Sequence, residues 1–315
     1  MLLAALASFG AEPASATQAC PDKPIRLVVG FPAGGGIDLL ARTISDPLSK
    51  RLKQKIVIEN KPGATGAIAA EQVAKAANDG CTLMMGNIGQ LAINPSLEEK
   101  LAYDPVKSFE PIGLVASLEF VAVVPADSPI KTLKDLVERA QAQPGRLNYA
   151  SGARGGVNHL STELFAQVAK INVRTVSYKG SNFATLGLLG GEVDFMIEAT
   201  AIVLPHIKSG KLRPLASATK DRQANLPDVP TFTELGFPQM TVGGWGGLLA
   251  PAGIKKDLVS HLNTELNAVL KQPDVAGAFA SQGLLVEPGT PEDFGTLIGS
   301  ELQRWNEVVR AAGKI

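Results

Sequence analysis

The chain is poor in the side chains that perform catalysis. It holds three histidines, His159, His206 and His261, and two cysteines, Cys20 and Cys81, in 315 residues. The histidines show no metal-ligand spacing. Gly34-Gly35-Gly36 lacks the lysine and the serine or threonine that follow a P-loop, and it does not match G-x-G-x-x-G. Those absences argue against an enzyme, a metal site or a nucleotide cofactor. What the sequence does offer is a way to hold an anion with backbone. An apolar strand (Ile25, Leu27, Val28, Val29) breaks at Phe31-Pro32-Ala33 and three glycines, then restarts as a helix with Ile37, Leu40, Ala41 and Ile44 at helical spacing. A helix start leaves N–H groups unpaired at the positive end of its dipole, and glycines let a ligand come close to them.

A second turn of this kind, Ser151-Gly152-Ala153-Arg154-Gly155-Gly156, follows a strand over 147–150 and precedes a helix over 157–170. Polar groups cluster around both turns. Asp38, two residues after the glycines, can cap the helix, order the loop or meet a ligand. Ser151 places a hydroxyl at a strand end, and His159 falls one helical turn after Gly155, as a packed histidine or a ligand group. Thr65 and Asn87 sit at other strand-end turns and are donors suited to a second carboxylate. Lys179 can supply charge, and Arg154 can pair a carboxylate through two parallel hydrogen bonds, which makes it the candidate for specificity.

The elements that must carry these groups alternate. In the first part, strands at 25–29, 55–59 and 82–85 are separated by helices at 37–52 and from Ala67 through Ala77. Such alternation implies a parallel sheet, with ligands at the carboxyl ends of its strands, so 31–36, 64–66 and 86–89 should share one edge. Pro111 to Val124 is a long apolar run interrupted by Glu119, fitting a chain that crosses between lobes. Beyond it the pattern restarts: a helix over 132–141, strands at 147–150, 173–177 and 193–197, a helix ending at Leu189, and a strand near 212–218. A proline-rich connection over 225–238 leads to a strand at 245–250 and three helices over 257–271, 273–282 and 291–312, expected to pack on the first lobe. Two lobes joined by more than one crossing make a hinge around a cleft.

Thirty basic residues balance thirty acidic ones, which gives no electrostatic case for nucleic acid. No stretch reaches the roughly 20 apolar residues that span a bilayer. Residues 1–16 differ from the rest: an apolar run from Met1 to Ala11 and then Ala14-Ser15-Ala16 fit a secretory leader cut after Ala16 or, at Thr17-Gln18-Ala19, just before Cys20. The run lacks a positive n-region, from which an in-frame start further upstream is expected. A lipid anchor on Cys20 is the competing reading, but Thr17-Gln18-Ala19 lacks the large aliphatic residue it calls for.

From about Pro21 to the C-terminus the sequence resembles the substrate-binding proteins of tripartite tricarboxylate transporters, the Bug or TctC family. The likeness rests on Pro24-Ile25-Arg26-Leu27-Val28-Val29 with Gly34-Gly35-Gly36-Ile37-Asp38, on Val57-Ile58-Glu59-Asn60-Lys61-Pro62-Gly63, on Phe109-Glu110-Pro111-Ile112-Gly113, on Tyr178-Lys179-Gly180-Ser181 and on Leu226-Pro227-Asp228-Val229-Pro230-Thr231. The resemblance implies an α/β fold of type II periplasmic-binding (Venus-flytrap) form, each lobe a doubly wound, mostly parallel sheet with helices on both faces. The implied arrangement is a discontinuous first lobe over 20–120 and 226–315 and a second over 121–225. It implies a periplasmic receptor that closes on a small carboxylate and delivers it to membrane permease subunits, as a monomer. A receptor that presents the anion to a sensor kinase is the alternative. Carried over residue by residue, Phe31, Gly34, Gly35 and Asp38 belong to the first half of the anion site and Ser151, Gly155 and His159 to the second. Glu198 joins them where the family frequently has aspartate; Ala33, Ala153, Ser177 and Gly187 also depart from the family's usual residues. Cys20 and Cys81, the only cysteines of a chain expected to be exported, precede the first and third strands, which lie side by side in a doubly wound lobe, so a disulfide between them is expected.

Overall fold

The computed structural model describes residues 20, 23–97 and 100–312; the leader read over 1–16 lies outside them. The chain enters through β1 (Ile25–Val29), α1 (Gly36–Leu52), β2 (Ile56–Asn60), α2 (Ala67–Ala74), β3 (Thr82–Asn87) and the short α3 (Asn94–Leu97). In α1, Ile37, Leu40, Ala41, Ile44, Leu48 and Leu52 are buried, a stripe at helical spacing that packs onto the sheet. Then β4 (Phe109–Leu118) runs almost directly into β5 (Phe120–Pro125), with only Glu119 between them.

The next elements are α4 (Leu133–Ala142), β6 (Asn148–Ser151), α5 (Val157–Ala169), β7 (Arg174–Ser177), α6 (Ser181–Leu189), β8 (Met196–Ala199), α7 (Thr200–Lys208) and β9 (Leu212–Ser217). A connection without regular strands leads to β10 (Gly244–Pro251), α8 (Lys256–Leu270), α9 (Pro273–Ser281), β11 (Leu284–Val286) and α10 (Pro291–Ala312). Six strands form one sheet in the order β11-β4-β10-β3-β1-β2; β8-β5-β9 and β6-β7 form two smaller ones, tied by a bridge between Tyr149 and Phe195. Helices α8 and α10 pack on β4, so the end of the chain completes the sheet with which it began.

Parallel pairing holds where a crossover helix joins the strands: β1 pairs β2 and β3 in parallel, and β6 pairs β7 in parallel. The expectation of mostly parallel sheets needs correcting for the remaining strands. β10 is antiparallel to both β3 and β4, β11 is antiparallel to β4, and β5 is antiparallel to β8 and β9. These strands arrive through the crossing at Glu119 or through the long return to β10 rather than through a crossover helix, and nothing then forces parallel pairing. The sheets are therefore mixed.

Cys20 and Cys81 are joined by a disulfide, their Cα atoms 4.8 Å apart. They meet because Arg26 of β1 stands beside Thr82 of β3, which makes the entrances of the two strands neighbours.

Candidate functional site

The two glycine turns are conformational twins. The residue that caps α1, Gly35, has φ −75° and ψ 165°; the one that caps α5, Gly156, has φ −74° and ψ 166°. Each follows a glycine in the left-handed region, Gly34 at φ 80° and Gly155 at φ 73°, where a side chain is disfavoured. Each turn closes the same way: the Gly35 N–H donates to Pro32 O at 3.3 Å, and the Gly156 N–H to Ala153 O at 3.0 Å.

Each turn is also braced by a side chain from one helical turn further on. The Asp38 carboxylate accepts the Gly34 N–H at 2.8 Å, and His159 Nδ1 accepts the Gly155 N–H at 3.1 Å. Burial alone would raise the pKa of Asp38, but hydrogen bonds from Arg42, Gly34 and Asn60 outweigh it and hold the carboxyl below its usual range. His159 is 3 % exposed and stacks on Tyr149. Burial, with Arg154 adding to it and Glu163 opposing, pushes its pKa down, which fits an imidazole whose Nδ1 must stay unprotonated to accept.

A cavity of about 120 Å³ lies between these turns. Its wall includes the starts of four helices: Gly35 and Gly36 of α1, Gly156 and Val157 of α5, Gly180 and Ser181 of α6, and Glu198 and Ala199 ahead of α7. None of the four has a side-chain cap. At α7 the first amides are already taken, Thr200 N by Glu119 O and Ala199 N by the Glu198 carboxyl. The three starts opened by Gly35, Gly156 and Gly180 thus converge from both lobes on one space, with backbone N–H groups and positive dipole ends.

The lobes touch at the rim. Thr65 Oγ1 donates to Arg154 O at 3.3 Å, and Asn182 Nδ2 donates to Ala33 O at 3.4 Å. Ala64 and Thr65 both adopt left-handed backbone, φ 46° and 51°. Asn94 Nδ2 holds that strained turn by donating to Ala64 O at 3.2 Å and Thr65 O at 3.3 Å.

The residues singled out from sequence divide into groups. Phe31, Gly35, Thr65, Asn87 and Glu198 line the cavity. Gly34, Asp38, Gly155 and His159 stand behind it as parts of the turns. Ser151 is fully buried, and its hydroxyl donates to Ala153 O at 2.8 Å, which also supports the second turn. Arg154 is not brought into the cavity: it is exposed and lines an outer cavity with Lys100 and Tyr103, on the far side of the Thr65 contact. Lys179 is exposed and does not line the cavity either.

The wall contains residues that the sequence reading did not select: Leu118, Phe120, Asn158, Asn182, Phe183 and Trp245. The motif around Gly180 pointed to α6, but the eye falls on the charge of Lys179 rather than on Asn182. Asn158 Nδ2 donates to the Glu198 carboxyl at 3.0 Å. Burial pushes the pKa of Glu198 up, against the Ala199 N–H, the Ser181 hydroxyl and the Asn158 amide, which favour the ionised form.

Comparison with known proteins agrees with this architecture. Residues 40–314 match the family model described as the tripartite tricarboxylate transporter family receptor. Protein BugT of Bordetella pertussis is 36% identical over 294 residues, which is 93% of this chain and 90% of that one. The periplasmic binding protein BugD has a solved structure that superposes with a TM-score of 0.88 at 33% identity, covering 93% of this chain and 98% of BugD. MatC from Rhodopseudomonas palustris, solved with bound malate, superposes with a TM-score of 0.86 at 34% identity, covering 91% of this chain and 99% of MatC.

Proposed function

The chain belongs to the family of tripartite tricarboxylate transporter receptors, and from that premise we propose that it captures a small organic carboxylate between its lobes and delivers it to the membrane subunits of such a transporter. The family is one of binding proteins rather than enzymes. The observation that carries the reading is the convergence of three glycine-opened, uncapped helix starts from both lobes on one cavity. A carboxylate placed there accepts backbone N–H groups from each lobe and so holds the lobes together; without it those donors face one another across the cleft. Gly36, Val157 and Ser181 supply the donors, the Gly35 and Gly156 N–H groups being used to close the turns. Phe31, Thr65, Asn87 and Glu198 shape the space, and Gly34, Asp38, Ser151, Gly155 and His159 hold the turns.

The lobes we assign are 20–120 with 226–315, and 121–225. The crossings at Glu119 and in the return before β10 serve as hinge strands. Delivery to a permease fits a receptor released into the periplasm; among the described residues no helix is long and apolar enough to cross a membrane.

Native mass spectrometry of freshly purified protein should show a co-purified organic anion, and a thermal-shift screen should show stabilisation by carboxylates. Ligand at about 100 times its Kd adds roughly 2.7 kcal/mol. A shift with sugars or metal ions and none with any carboxylate refutes the assignment.

A further inference from the structure

We propose that Thr65 and Asn182 are paired latches that hold the lobes shut, each gripping the glycine turn of the opposite lobe, an inference that rests on the carboxylate reading only for the closing of the lobes. The two turns carry equivalent peptides, Ala33–Gly34 and Arg154–Gly155, each leading into a left-handed glycine. Each peptide N–H is held within its own lobe, that of Gly34 by Asp38 at 2.8 Å and that of Gly155 by His159 at 3.1 Å. Each carbonyl is taken by the other lobe, Ala33 O by Asn182 Nδ2 at 3.4 Å and Arg154 O by Thr65 Oγ1 at 3.3 Å. The donation is reciprocal, one bond running each way across the rim. Both bonds are at the long end of the range, so further closure shortens and strengthens them. A peptide bonded at both ends is polarised, so each latch also firms the brace on the turn it grips.

Each latch is built for its place. Thr65 is β-branched yet left-handed, at φ 51° and ψ 37°, a conformation that costs free energy and persists only where the surroundings enforce it. Two buried amides enforce it: Asn94 Nδ2 donates to Ala64 O and Thr65 O, and Gln90 Nε2 donates to Gly66 O at 2.9 Å. What this strained turn presents to the other lobe is the hydroxyl that bonds Arg154 O. Asn182, the second residue of α6, reaches over a glycine: a Cβ on Gly34 would lie 2.6 Å from its Nδ2. The bare backbone of Gly34 therefore admits the latch. Thr65 and Asn182 are positioning residues, acting on the ligand through closure.

The test compares refolded wild type with Thr65→Val, Thr65→Ser, Thr65→Gly, Asn182→Ala and the double variant Thr65→Val/Asn182→Ala. Succinate, malate, adipate and benzoate are titrated calorimetrically, and small-angle scattering is recorded without them. Thr65→Val, Thr65→Gly and Asn182→Ala should each bind every probe that wild type binds about two- to ten-fold more weakly, the worth of one hydrogen bond. Thr65→Ser, which keeps the hydroxyl, should bind as wild type does. Thr65→Gly, relieved of the backbone strain, should resist urea at least as well as wild type, so that stability and affinity move apart. The double variant should have a larger radius of gyration than wild type. Wild-type affinity in Thr65→Val or in Asn182→Ala, equal loss in Thr65→Ser and Thr65→Val, or equal radii overturns the latch and leaves the carboxylate reading standing. If wild type binds none of the four probes, the titration counts against the carboxylate reading instead, and the radii alone decide the latch.

Discussion

Asp38 and His159 hold equivalent places in the two lobes, each accepting the N–H of a left-handed glycine four residues upstream, Gly34 and Gly155. One does so as a carboxylate and the other as a neutral imidazole, so acid should disable the two turns at different points. Both pKa values are lowered in the folded protein, so both groups bind protons more readily when unfolded, and each contribution to stability is lost as pH falls. The His159 contribution is present above the ordinary histidine value of 6.5 and fades below it; that of Asp38 persists until below 3.8. Melting temperature followed from pH 8 to pH 5 should therefore fall more steeply in the wild type than in His159→Gln. Parallel curves would show that His159 does not brace its turn as a neutral acceptor.

Gly155→Ala should weaken ligand binding by impeding closure. Left-handed backbone costs a residue with a side chain about 1–2 kcal/mol. The new Cβ would also lie 2.8 Å from Leu97 Cδ1, which belongs to the opposite lobe. Urea denaturation should report the first effect and ligand titration the second. Adding Leu97→Ala should restore part of the affinity while leaving the backbone cost; no recovery would show that the contact does not limit closure.

Glu198 should make carboxylate binding pH-dependent in the opposite sense. Burial raises its pKa above the usual 4.5 against hydrogen bonds from Ala199, Ser181 and Asn158, and no charged group contributes. Its favourable contribution is fully present below the unfolded pKa and is lost as pH rises through the raised value, where an ionised Glu198 also repels the bound anion. Affinity should therefore weaken as pH rises above the ordinary glutamate range in the wild type and stay nearly flat in Glu198→Gln, once the same comparison in His159→Gln has accounted for the second turn. Equal slopes in wild type and Glu198→Gln would remove Glu198 from the site.

Reducing the Cys20–Cys81 bond should destabilise the protein without moving the cleft. The bond closes a sequence separation of 61 residues, for which chain entropy gives roughly 4 kcal/mol. Denaturation midpoints with and without reductant, and in Cys20→Ser/Cys81→Ser, should agree with each other and lie below the oxidised wild type. Ligand affinity measured well below the midpoint should be unchanged.

The backbone half of the site was legible because it is written in local pattern. Three glycines between an apolar strand and a stripe at Ile37, Leu40, Ala41 and Ile44 can fold in few ways, and α1 begins at Gly36. The side-chain half was less so. Arg154 has the right chemistry for a carboxylate, but which cavity it reaches depends on how the lobes meet at Thr65. Leu118, Phe120 and Trp245 line the cavity because particular strand ends face it, which no residue type announces. α7 was missed because Pro205 interrupts its apolar run, and β11 is only three residues long. Gly187, a departure from the family pattern, is explained only in three dimensions: a Cβ there would come within 2.2 Å of Tyr178 Oη, which lies across α6 and donates to Glu192 at 2.8 Å.

Cys20 is tied to the entrance of β3, whereas Phe31 and Asn87 emerge at the exits of β1 and β3. A five-residue strand is roughly 17 Å long, and that length of sheet separates the two ends of the lobe. Whatever is attached ahead of Cys20 therefore leaves from the back of the molecule. A surface linker, dye or biotin placed there would present the mouth of the cleft outward, free of the support, and the covalent bond would keep the mount from peeling the first strand away.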